Sequence, residues 1–223
     1  MKILLASNSP RRKEILTKAN IDFTTVKSNY REESFKTYNE SFIKKNSLYK
    51  ALDAAKGVDF PAVVIGADTM VILREGMCDV CLLKPQNCNE AFLMLKKLSG
   101  KTHKVVTSIS LVEAPAISSL RGTEAPAGHK HITEIEETFV TFRSLKDNEI
   151  RQYLDIFKPF DKAGSYGIQD FLAYDKAFEN LVLSENFKSR IPDTQSFIEK
   201  IEGDYFNVMG ISTDKLKRML KEF

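Results

Sequence analysis

The stretch KILLASNSPRRKEIL, residues 2–16, constrains the fold more than any other. A short apolar run ends in the polar turn SNS and restarts with proline and a helical pattern, so it reads as buried strand, tight turn, helix start. Ser9 fits an N-cap and Pro10 the first helical position, where a missing N–H and a fixed φ cost nothing. Arg11 and Arg12 then fall in the first turn, at the positive end of the helix dipole, where acidic residues are preferred. A helix start already offers backbone N–H groups to an anion. Two guanidinium groups add donors matched to phosphate oxygens. Solvent-facing arginines are the competing explanation, and the stretch alone does not separate the two.

Beyond this stretch the chain alternates between the two periodicities. DFTTV reads as a strand, KSNYREES as a polar loop, and residues 40–56 as a helix stopped by Gly57. AVVIG, residues 62–66, is an apolar β-branched strand that resumes as MVIL after ADT. EAFLMLKKLSG is an amphipathic helix, KVVTSISLV and ETFVTFRSL are strands, and residues 147–157 form a helix. The last helix, TDKLKRMLKEF, puts Leu216, Met219, Leu220 and Phe223 on one face, with Thr213 as its cap. Such alternation without a composition break predicts one α/β domain over residues 1–223, with two lobes around a cleft.

The charge balance limits the partners. Thirty-three basic against thirty acidic residues give a net charge of +3, too mild and too mixed for a protein that wraps duplex nucleic acid. Basic and aromatic residues are not interleaved on one face as a single-stranded RNA binder requires, so no stable nucleic-acid partner is expected. No run approaches the ~20 apolar residues of a spanning helix, and MKILLAS lacks the build of a signal peptide. Three cysteines, Cys78, Cys81 and Cys88, make a poor disulfide framework and fit a reducing, cytoplasmic setting. Cys78 and Cys81 form a CxxC without a second half, which argues against a zinc site.

Several short motifs carry polar chemistry. Asp68, in GADT, suits either a turn or a carboxylate that binds a divalent metal or orients water. Lys50 and Lys84 supply positive charge that could converge with it on one polyanion. In DKAGSYGIQD, two glycines bracket Ser165 and Tyr166, and Gln169 offers an amide able to read the edge of a base. GDYFNVMG reads as turn, strand and glycine stop. His103 is expected to pack or cap rather than act as a base, and the HxH of His129 and His131 falls in a loop excursion. The common phosphate-loop, dinucleotide and nucleophile-elbow motifs are absent.

Taken in order, LLASNSPRRKEIL, IGADTMV, LKP, THKVVTS, DKAGSYGIQ and GDYFNVMG resemble the Maf family, nucleoside triphosphate pyrophosphatases once described as septum-formation inhibitors. The resemblance covers nearly all of residues 3–220. It implies an elongated mixed β-sheet with flanking helices and a cleft, related to the inosine triphosphate pyrophosphatase fold, and commonly a homodimer. It also implies hydrolysis of a nucleoside triphosphate to monophosphate and pyrophosphate with a divalent metal, Mg2+ or else Mn2+. AGSYGIQ looks like the branch acting on dTTP and UTP.

By that resemblance Ser7 and Arg12 match the phosphate-binding loop, which Ser9 and Arg11 share. Asp68 matches the proton acceptor, and Thr69, Lys84 and Gln169 match positions tied to substrate binding and choice. Lys50 matches a lysine of the second helix. Arg12 and Lys84 would assist the leaving pyrophosphate. The family's glutamate falls on Glu32 or Glu33, which with Asp68 would hold the metal. Residues 114–131 and 171–196 look like insertions, and the second adjoins the block expected to read the base. A non-catalytic nucleotide sensor regulating cell division, or a pyrophosphatase for modified purine nucleotides, are the alternatives.

Overall fold

The computed structural model of the chain describes residues 1–114, 130–171 and 197–223, so the two expected insertions lie, apart from their end residues, outside the described part. Its framework is a mixed seven-stranded sheet. The strands are β1 (Lys2–Leu5), β2 (Thr24–Thr25), β3 (Ala62–Glu75), β4 (Cys78–Leu82), β5 (Thr102–Ala114), β6 (His131–Phe142) and β7 (Ile198–Glu202). The helices are α1 (Pro10–Lys18), α2 (Glu40–Ala55), α3 (Cys88–Leu98), α4 (Asp147–Phe157), α5 (Tyr205–Met209) and α6 (Thr213–Glu222).

β3 organises everything else. It runs unbroken for 14 residues through ADT, so Asp68 stands in mid-strand and not in a turn between two strands. The whole of one edge, Ala62 to Ile72, pairs antiparallel with β5. The other edge is shared: β1 pairs parallel with Ala62–Ile65, and β4 pairs antiparallel with Val71–Glu75. Between those partners, residues 66–70 have no strand beside them on that edge among the described residues. Ordinary pleat alternation then sends Asp68 to one face of the sheet and Thr69 to the other.

The two faces are covered differently. Even-numbered β3 residues Ala62 and Val64 pack with Ala51, Leu52, Ala54 and Ala55 of α2. Odd-numbered Val63, Ile65, Ala67, Val71 and Leu73 join Ile15 and Leu16 of α1 and buried residues of α3, α4, α5 and α6. Gly66 explains how closely α2 approaches. A Cβ there would lie 2.1 Å from the Ser47 carbonyl oxygen and 2.9 Å from the Ala51 nitrogen, so any side chain would push the helix off the strand.

Two local expectations need correction. YFNVM forms α5 and not a strand, because the Asp204 carboxylate caps it by accepting from the Phe206 N–H at 2.7 Å, and Gly210 ends it. In α6 the cap is Ser212, which accepts from the Lys215 N–H, while Thr213 is the first helical residue. Helix α4 occupies the expected residues 147–157.

Candidate active site

The gap beside residues 66–70 opens into a cavity of about 1000 Å³. Ser7, Ser9, Arg11, Arg12, Glu32, Glu33, Lys50, Asp68, Thr69, Lys84 and Gln169 all line it. Every candidate site residue of the sequence is therefore brought to one place, although six separate segments of chain supply them.

At the start of α1, Ser9 occupies the N-cap position without a side-chain cap bond. Its N–H donates instead to the Ser7 Oγ at 3.2 Å. Pro10 has no N–H, so the orphan donors of the first turn come from the residues after it. Arg12 folds back beneath this turn and is buried. Its Nε donates to the Gly210 carbonyl (3.0 Å), Nη1 to the Ser7 Oγ (3.4 Å) and Nη2 to the Thr69 Oγ1 (3.0 Å). Thr69 accepts from Arg12 and contacts the Thr107 Oγ1 at 3.0 Å; Thr107 in turn donates to the Asn207 carbonyl. With Thr107's proton so committed, Thr69 is the donor between them. Among the described residues no carboxylate reaches ion-pair distance of Arg12. Burial lowers its pKa, and the more distant Asp68 and Glu32 charges offset part of the fall. Arg11 differs: it pairs with Asp161 at 3.6 Å, and Asp161 also holds Lys162.

On the opposite face of β3, α2 presents a buried polar stripe. The Lys50 Nζ donates to the Ala67 carbonyl at 3.0 Å, lies 3.7 Å from the Asp68 Oδ1 and forms a close ion pair with the Glu32 carboxylate. Burial pulls the Lys50 ammonium below its ordinary pKa, Arg12 adds to the fall, and Asp68 and Glu32 counter it. Burial by itself would raise the Glu32 carboxyl, but Lys50, by charge and hydrogen bond, together with Lys84 and Arg12, holds it below the usual range. Glu33 turns elsewhere and pairs with Lys45 at 2.6 Å. Of the two glutamates, Glu32 is thus the one that faces Lys50 and Asp68.

Asn46 is the residue the sequence reading missed. It is buried, and its amide bonds both Asp68 and the backbone of the Glu33 loop. The signal was there: Asn46, Lys50 and Asp53 recur at i, i+4 and i+7, one helix face, where apolar residues would be expected of a buried helix. Asp53 accepts from the Ser28 hydroxyl and the Asn29 N–H, so the same stripe ties down both ends of the loop.

The far wall is the turn after α4. A Cβ on Gly167 would come within 2.5 Å of the Gln169 amide nitrogen, so glycine is required for that carboxamide to fold back over it. The Gln169 Oε1 is buried and has no hydrogen-bond partner among the described residues. Lys84 stands exposed just past β4, with no ion pair among the described residues. His103 lies behind this wall, 2.8 Å from the Tyr166 hydroxyl, and burial drops its pKa to about 3, which keeps it neutral and packed as expected.

Cys78 and Cys81 are three residues apart on β4, one exposed and one buried, and all three cysteines are free thiols. Alternation along the strand sends the pair to opposite faces. Among the described residues no three His, Cys, Asp or Glu side chains gather as a ready-made metal centre. No helix of the described residues is long and apolar enough to cross a membrane.

The family model described as Maf-like protein matches residues 2–180. A dTTP/UTP pyrophosphatase of Thermoanaerobacter sp. (strain X514) is 37% identical, covering 99% of this chain and 96% of the relative. One from Clostridium perfringens (strain SM101 / Type A) is 36% identical, over 100% and 97%. Another, from Thermosipho melanesiensis, is also 36% identical, over 97% and 94%. Matched along nearly its whole length by such relatives, and over most of it by the family model, this chain belongs to the Maf family.

Proposed function

We propose that the chain is a nucleoside triphosphate pyrophosphatase that hydrolyses dTTP and UTP to the monophosphate and pyrophosphate. One observation carries the reading: Arg12 and Lys84 line the same cavity as Asp68, and among the described residues neither cation has a carboxylate within ion-pair distance. Both keep their charge for a ligand. A triphosphate brings about four negative charges, and its hydrolysis depends mostly on positioning and charge stabilisation. Names of relatives with end-to-end similarity support the same substrate class.

In this reading the phosphate tail lies against the first turn of α1, with Ser7, Ser9 and Arg12 as donors and Arg11 beside them. Asp68 takes a proton from water, whose oxygen bonds to the α-phosphorus. The bond from the α-phosphorus to the bridging oxygen breaks, and its electron pair leaves on pyrophosphate, stabilised by Arg12 and Lys84. Thr69 holds Arg12 in position, and Gln169 contributes to substrate choice through the Oε1 that has no hydrogen-bond partner among the described residues.

Glu32 and Asp68 fit a hard divalent cation such as Mg2+, or Mn2+, which commonly takes one or two carboxylates and completes its shell with phosphate oxygens and water. Bound there, such a cation supplies charge neutralisation for the phosphate oxygens. Glu33, engaged with Lys45, is assigned no contact with it. The same reading includes one Maf-like unit over residues 1–223 with insertions at 114–131 and 171–196. It also includes kinship with the inosine triphosphate pyrophosphatase fold, a homodimer, and a cytoplasmic location to which the three free thiols are suited.

The test is to incubate the purified protein and Mg2+ with canonical and modified nucleoside triphosphates and measure monophosphate and pyrophosphate. Release from dTTP and UTP ahead of the rest is expected. Tight nucleotide binding without pyrophosphate would make the protein a sensor, and preference for modified purines would move it to another substrate class.

A further inference from the structure

Asn46 has four hydrogen-bonding positions on its amide, and all four are used. Its Oδ1 accepts from the Glu33 N–H at 3.0 Å and from the Tyr30 hydroxyl at 3.3 Å. Its Nδ2 donates to the Glu33 carbonyl at 2.9 Å and to the Asp68 Oδ2 at 2.9 Å. The Glu33 backbone fixes which end of the amide is which, because its N–H can only donate and its carbonyl can only accept. A buried carboxamide with every site filled has one orientation, and any rotation would strand at least two buried polar groups.

Three elements meet at this amide. It sits on α2, it grips the loop that carries Glu32, and it holds one oxygen of a carboxylate in mid-β3. The other oxygen, Oδ1, accepts from the Thr69 N–H at 3.0 Å and faces Lys50. Lys50, one helical turn beyond Asn46, lies within ion-pair distance of both Glu32 and Asp68. The loop has few apolar anchors of its own, since residues 27–34 are mostly exposed. Its position over the cavity therefore depends on polar ties to α2.

We infer that Asn46 is a positioning residue, which sets the Glu32 carboxylate against the Asp68 carboxylate so that both address the same phosphate. The inference rests on the pyrophosphatase reading for its kinetic consequence but not for its structural one. Outer partners of this kind are commonly worth 10–100-fold in activity when lost.

The experiment compares wild type with Asn46→Leu, which keeps the branched shape of the side chain but no hydrogen-bonding atom, and with Asn46→Asp, which keeps the acceptor toward Glu33 N–H but puts a second anion against Asp68. Turnover of UTP is measured in the wild-type and Glu32→Gln backgrounds, and amide exchange of residues 28–34 in nucleotide-free protein. Both variants should lose about 10–100-fold in kcat with KM within about threefold. In the Glu32→Gln background the loss from either variant should be smaller by at least about threefold, because part of the effect runs through that carboxylate and the rest through the direct bond to Asp68. Exchange at Glu33 should accelerate at least about tenfold in Asn46→Leu. If Asn46→Leu fails to fold, Asn46→Asp carries the same kinetic comparison. A folded variant with wild-type kcat, equal losses in both backgrounds, or unchanged exchange at Glu33 overturns the inference. A wild type that releases no pyrophosphate overturns the functional reading instead, and the exchange arm still decides the role of Asn46.

Discussion

Arg12 and Lys50 reach one cavity from opposite faces of the sheet, and their charges are met in opposite ways. Lys50 is held by the protein's own carboxylates, Glu32 and Asp68. Among the described residues Arg12 is held by neutral oxygens, on Gly210, Ser7 and Thr69. A buried cation without a counter-ion is costly unless it is well hydrogen-bonded, and Arg12 meets that condition while its charge stays uncompensated. On the proposed function the two faces divide the tasks: the α2 face would arrange carboxylates, and the α1 face would offer positive charge to an anionic ligand.

The sharpest way to break this division is on the carboxylate side. Asp68→Asn should lower pyrophosphate release from UTP by roughly 10²–10⁴ with little change in nucleotide affinity, measured by steady-state kinetics and equilibrium binding. A variant turning over at the wild-type rate would remove Asp68 from the chemistry. On the other face, Arg12→Lys keeps the charge but cannot reproduce the fork to Gly210 and Thr69, and should cost about 10² in kcat/KM. If lysine serves as well, charge alone matters there and the neutral oxygens are incidental.

Smaller effects concern stability. Lys50→Met leaves Glu32 and Asp68 facing each other and should destabilise the protein by about 2 kcal/mol, less than the ~3–5 kcal/mol of a fully buried pair because Glu32 is half exposed. Added Mn2+ should recover much of that loss in thermal melts, since a divalent cation bound by those two carboxylates would relieve their repulsion. Failure to recover would argue against Glu32 and Asp68 as its ligands. His103 provides a contrast that shows only on acidification, a buried base kept neutral at about pKa 3. The unfolded chain binds a proton at His103 from about pH 6.5 downward and the folded chain does not until about pH 3, so stability falls as pH drops through that window. The slope contributed is about 1.4 kcal/mol per pH unit. His103→Gln should flatten that part of the acid limb, as read from melts at about pH 7, 6 and 5.

Much of this was legible in the sequence because the signals are local. Pro10 after an apolar run marks the start of α1, and 3.6-residue periodicity gave α4 its observed ends. The exposed and buried members of the CxxC follow from strand alternation. YFNVM misled because aromatic and β-branched residues favour strands, whereas the Asp204 cap bond decides for helix. Glu32 and Glu33 could not be told apart by composition or spacing, since adjacent loop residues have no fixed periodicity. Asn46 was overlooked because a polar residue on a helix is usually read as solvent-facing, and its burial depends on what packs against α2.

The sequence by itself determined most of the strands and helices, and that a positive helix start, an aspartate between apolar strand segments and two lysines were available to a polyanion. Only the tertiary structure decided that they meet. β1 stops at residue 65 of its partner strand and β4 begins at residue 71, which leaves one short stretch of β3 uncovered on that edge. Neighbouring side chains on a strand point to opposite faces, so Asp68 and Thr69 can serve one ligand only where the sheet has such an opening. No local pattern encodes that opening, because it depends on where two other strands end.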